Sequence, residues 1–62
     1  MDQMNQIVAK NIKRLREERK LSMDELSKLS GVSKSMLAQI ERGTANPSLG
    51  VLGKITSGLR IE

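Results

Sequence analysis

The sequence predicts an all-α fold, a compact bundle of four to five short helices. Three observations carry that expectation. Apolar residues recur every three or four positions, and no segment alternates with the period of two that a strand requires. Serines stand ahead of the apolar segments and glycines behind them, where helices start and stop. The five glycines and single proline act as punctuation, with no repeat, linker or low-complexity stretch between them. At 62 residues the chain allows one domain, 1–62. A chain of this size buries only about 60% of the surface it exposes when unfolded, so it stands near the lower limit for folding unaided.

Met4, Ile7/Val8, Ile12 and Leu15 form one apolar stripe, which predicts a first helix from about Asn5 to Arg19. Ser22 followed three residues later by Glu25 is a capping box. The hydroxyl can accept from the Glu25 amide while the carboxylate accepts from the Ser22 amide. Asp24 and Glu25 add the negative charge that a helix start favours. A second helix of about two turns therefore begins at Met23. It stops at Gly31, which can take the left-handed conformation of a helix end. Ser33 caps a third helix, Lys34 to Arg42, with Leu37 and Ile40 inward and Gly43 ending it. Thr44 to Pro47 is a loop. Ser48 caps a fourth helix with Leu49, Leu52, Ile55 and Leu59 inward. Gly50 and Gly53 lie inside that helix and each costs about 1 kcal/mol relative to Ala, which makes it the weakest element.

Composition removes several function classes. The chain has no Cys, His or aromatic residue. Disulfides, thiol nucleophiles, zinc sites and imidazole acid–base chemistry go together, and no cofactor or metal is expected. The surface serines have no evident base, so no enzyme is expected either. Stacking of single-stranded bases would need aromatic platforms the chain does not have. No apolar run is long enough to span a membrane, and the start shows no signal peptide, so the expected setting is cytoplasmic.

Eleven basic residues against seven acids leave a net charge of +4. Residues 10–20 hold six of the basic residues and two of the acids, so the whole excess lies there. The plain reading of that run is a solvated helix face with ion pairs such as Arg14–Glu17 and Arg14–Glu18. A basic helix lying on a membrane would want Trp or Phe on its apolar face.

Two short helices joined by a tight turn containing Gly make a helix-turn-helix. Leu26 anchors the second helix, and the small Ser27 lets the third approach it. Gly31 makes the turn and Val32 plugs the corner. The sequence resembles the lambda-repressor-like, Cro/C1-type (XRE) family of bacterial and phage DNA-binding regulators. The resemblance rests on Asn11-Ile12-Lys13-Arg14-Leu15-Arg16-Glu17, Leu21-Ser22-x-x-Glu25-Leu26, Gly31-Val32-Ser33, Ile40-Glu41-Arg42-Gly43 and Asn46-Pro47-Ser48. It covers roughly residues 7–60 with unbroken spacing.

The resemblance implies that the third helix lies in the major groove of duplex DNA while the second crosses the backbone. Lys34, Ser35 and Gln39 then face base edges. Gln offers the donor–acceptor pair that matches adenine, Lys donates to guanine O6 and N7, and Ser adapts to either. Ala38 either touches a thymine methyl or simply packs. Ser22, Met23, Ser33, Arg42, Thr44 and Asn46 stand where the family contacts phosphate. Ser22 and Ser33 are caps first, and their neighbouring amides hold the phosphate. Lys10 and Lys13 act as long-range steering charges. The family pattern also places an Arg of the first helix against a Glu ending the third, here Arg16 and Glu41, as a partly buried clamp.

Two departures stand out. The family often has Gln where this chain has Met23, which removes one side-chain contact to phosphate. It often has a bulky apolar residue where this chain has Gly53, which loosens the fourth helix or leaves a groove. By the same resemblance, the chain is expected to be the N-terminal part of a longer regulator. That intact protein is expected to be a homodimer reading a pseudo-palindromic operator. The alternative is an antitoxin or another protein-interaction module, since the same fold is reused there.

Overall fold

In a computed structural model the chain forms α1 (Gln3–Glu18), α2 (Met23–Ser30), α3 (Lys34–Glu41) and α4 (Leu49–Gly58). The structure describes residues 3–60, and only the backbone of Gln3 and Met4. Met4 in the expected apolar stripe therefore lies outside the described side chains, as do the terminal residues 61–62. The described residues contain no strand.

The starts of α2, α3 and α4 follow from their serines. Ser22 Oγ accepts from the Glu25 amide at 3.0 Å, and the Glu25 carboxylate accepts from the Ser22 amide at 2.7 Å. Ser33 Oγ accepts from the Met36 amide at 3.1 Å, and Ser48 Oγ from the Val51 amide at 3.2 Å. Each bond satisfies an amide that the helix itself leaves without a partner.

The ends share one device. Lys20, Gly31, Gly43 and Arg60 all have left-handed backbone, with φ of 55°, 76°, 76° and 59°. At Gly43 the amide donates to Ile40 O and that of Thr44 to Gln39 O, the paired bonds of a Schellman turn. The same pair closes α1, with Lys20 donating to Glu17 O and Leu21 to Arg16 O. The glycine stops were readable in the sequence. The two charged residues that do the same job were not.

Among the described residues, one packed cluster forms the core: Ile12, Leu26, Val32, Leu37, Ile40, Ile55 and Leu59. α2 packs against both α3 and α4, and α1 packs against α3. The turn between α2 and α3 is tied internally. Ser27 Oγ donates to the Val32 carbonyl at 2.7 Å, and the Val32 amide donates to Ser30 Oγ at 3.1 Å. Val32 can therefore plug the corner with both of its backbone groups satisfied.

Two expected inward residues point out. Leu49 is 88% exposed. The inward face of α4 is Val51, Leu52, Ile55, Gly58 and Leu59, and one turn earlier that register falls on the cap Ser48. In α1 the stripe runs through Val8, Ala9, Ile12, Leu15 and Arg16, which leaves Ile7 outside it and 56% exposed. The small Ala9, 4% exposed, takes the inward place.

Gly58 was not singled out by the sequence, yet it is the close contact between α4 and α2. A Cβ built there would lie 3.0 Å from the backbone N and Cβ of Ser30. A Cβ at Gly53 would meet nothing within 4 Å.

Candidate nucleic-acid interface

α3 has two unlike faces. Leu37 and Ile40 are sealed in the core, at 0% and 1% exposure. Lys34, Ser35 and Gln39 are exposed on the other side, with Arg42 in line beyond them. Ala38 is half-buried between the faces. A helix held by one stripe with a polar outer face can lie in a groove without unfolding anything.

The end of α3 is also clamped by Arg16. Its Nε donates to Glu41 Oε2 at 2.7 Å and its Nη2 to Glu41 Oε1 at 3.1 Å. Its Nη1 donates to the carbonyl of Leu21 at 2.8 Å. The side chains are 14% and 6% exposed. One guanidinium thus joins the end of α3, the body of α1 and the corner before α2. The hydrogen bond to Glu41 raises the guanidinium pKa above its ordinary value, with desolvation pulling the other way.

The residues expected at phosphates flank this face. Ser22 and Ser33 are exposed caps, each already engaged by an amide. Met23 turns its half-buried side chain to the core. The capping box engages the amides of Ser22 and Glu25 and not that of Met23. Thr44 donates from both its hydroxyl and its amide to Gln39 O, at 3.0 and 2.9 Å, so it closes the end of α3. Asn46 is exposed in the loop that follows.

Two features were missed from sequence. Lys34 Nζ lies 3.2 Å from Asp24 Oδ1, joining the first turns of α2 and α3. Lys10 and Gln6 of α1 line one shallow cleft with Arg42 and Gly43, so a basic side chain of α1 lies beside the end of α3. The signal for the first was two opposite charges near the starts of consecutive helices. For the second it was only the packing of α1 on α3. Arg14 takes one of its two expected partners, Glu18, at 3.1 Å on the solvated side of α1.

The profile of a family described as "Helix-turn-helix" matches residues 12–62. The chain belongs to this Cro/C1-type (XRE) helix-turn-helix family. Relatives agree. The HTH-type transcriptional regulator SutR of Escherichia coli is 38% identical over 98% of this chain and 34% of its own length. The immunity repressor protein of Bacillus phage phi105 is 42% identical over 89% of this chain and 38% of its own. A crystal structure of an HTH_3 family transcriptional regulator from Vibrio cholerae superposes with a TM-score of 0.91. It is 46% identical and matches over 94% of this chain and 33% of that one. The chain thus spans about a third of these helix-turn-helix proteins. Among the described residues no helix is long and apolar enough to cross a membrane.

Proposed function

We propose that this chain is a sequence-specific duplex DNA-binding domain of a transcriptional regulator, with residues 34–42 as the recognition segment in the major groove. One observation carries the reading: the exposed row Lys34, Ser35, Gln39 on a helix whose other face is sealed and whose end is clamped by Arg16. Family membership, and relatives described as regulators and a repressor, support it. Lys34, Ser35 and Gln39 read base edges. Arg42, Asn46 and the backbone at Ser22, Met23, Ser33 and Thr44 hold phosphates. It is a binding domain and not an enzyme, and it works in the cytoplasm.

A single module of this kind buries only about 600–1,000 Å² of protein surface on DNA, against about 1,000–2,500 Å² for specific interfaces in general. Such domains therefore act in pairs on half-sites about 34 Å apart. The reading extends to a longer regulator that dimerises on a pseudo-palindromic operator. The lengths of SutR and the phage repressor, of which the matched part is about a third, support the longer regulator.

Selection from a random duplex pool tests this directly. A preferred duplex should emerge, and its affinity should fall steeply between 50 and 200 mM salt as displaced counterions return. Arg42→Ala should weaken preferred and random duplexes alike and lower the salt slope by about one. An affinity indifferent to salt would overturn the phosphate contacts.

A further inference from the structure

We propose that Asp24 is a positioning residue for sequence reading: it holds the Lys34 ammonium against the first turn of α2, off the phosphates and available to guanine. The inference rests on the reading of α3 as the recognition helix. Three ion pairs occur among the described residues, and only two join different helices. One is the buried clamp. The other is Lys34 with Asp24, at 3.2 Å on the outer surface, with side chains 62% and 68% exposed. Other groups near Asp24 do not replace it. Glu25 is committed to the Ser22 amide, and Lys28 lies one turn along α2 while Asp24 meets Lys34.

The chemistry follows from what an ammonium can do. Lysine is a point charge on a flexible stem, and left free at a DNA surface it would bind any phosphate, which carries no sequence information. Paired with Asp24, its charge is cancelled at long range. An ammonium has three donors, and one on the carboxylate leaves two, which suit the O6 and N7 acceptors of guanine. The Asp24 carboxylate also repels the phosphates that would otherwise draw Lys34 aside. The preferred duplex should therefore carry a guanine opposite Lys34, read most strongly while Asp24 keeps its charge.

The test uses the duplex enriched from a random pool, the same duplex with its guanines replaced one at a time, and random duplex. Asp24→Asn, Lys34→Gln and the double variant are compared with the wild type. In Asp24→Asn, random-duplex affinity should rise and its salt slope steepen by about 0.9, one phosphate gained. The preference for one guanine should fall roughly three- to tenfold. Lys34→Gln should lose the same preference, and adding Asp24→Asn to it should change the preference no further. Melting should move little, since so exposed a pair contributes little to stability. If Asp24→Asn raises affinity for all duplexes equally while Lys34→Gln still loses the guanine preference, Asp24 is only a surface charge and the proposal is overturned, with the recognition reading intact. If neither variant alters preference, Lys34 does not read bases and the proposal is overturned while Ser35 and Gln39 remain as readers; if no duplex is enriched, the recognition reading falls as well.

Discussion

Arg16 is one of six cations between Lys10 and Lys20 and the only one of them turned inward. Its neighbours solvate α1; Arg16 ties three parts of the fold through Glu41 and the Leu21 carbonyl. The two ends of that contact are not equivalent. Arg16→Met leaves the Glu41 carboxylate, 6% exposed, without its partner and also frees the Leu21 carbonyl. Glu41→Gln leaves Arg16 with a neutral acceptor and its bond to Leu21. Stranding a buried charge costs about 3–5 kcal/mol, and weakening a charged hydrogen bond costs about 1–3. Thermal melts should therefore rank Arg16→Met well below Glu41→Gln, and both below the wild type. A domain of this size holds only about 3–9 kcal/mol in total, so Arg16→Met should approach unfolding at room temperature. Melts of both variants at the wild-type midpoint would refute the clamp.

Within α4, the same substitution should act with opposite signs at two glycines. Gly53→Ala meets open space and removes the helix penalty of glycine, so it should stabilise by about 1 kcal/mol. Gly58→Ala pushes a methyl onto the Ser30 backbone and should destabilise by about 1–3 kcal/mol. Denaturant melts of the pair measure this, and equal signs would contradict the packing of α4 on α2. At α2 the capping box gives a pH dependence. Hydrogen bonds from the Ser22 amide and hydroxyl lower the Glu25 pKa in the folded state. A lowered folded pKa adds stability that is full above the unfolded value of about 4.3 and is lost as pH falls through the folded value. Glu25→Gln should flatten melting between about pH 4.3 and lower pH, while leaving melting steeper there would remove the box. These elements also mark what the sequence can disclose. Ser22, Ser33, Ser48, Gly31 and Gly43 act through bonds to their own neighbours, so their roles were readable in order. The phase of a helix end was not, because spacing fixes which residues share a face but tertiary packing chooses the face. Hence Leu49 and Ile7 turned outward. Gly58 acts across helices, against Ser30, and nothing local marks it. The candidate interface was legible as residue types on α3. Its Asp24–Lys34 contact was hidden because it depends on the angle between two helices.

For the whole molecule, the charge excess of residues 10–20 and the polar face of α3 belong to one body. Because α1 packs on α3, Lys10 lines one cleft with Arg42, and on the proposed reading a positive charge there helps to draw a polyanion toward α3. Attraction of that kind is blind to sequence. The central claim concerns the other component, selective reading by the outer face of α3. Gln39 isolates it, since the side chain is exposed and its loss should leave melting almost unchanged. The decisive measurement is the ratio of affinities for the enriched duplex and for random duplex, in the wild type and in Gln39→Ala. That ratio should fall by the equivalent of about 1–3 kcal/mol, with preference relaxed at one or two base pairs and random-duplex affinity nearly unchanged. An unchanged ratio in Gln39→Ala, and again in Lys34→Ala and Ser35→Ala, would mean that α3 is not the reading element.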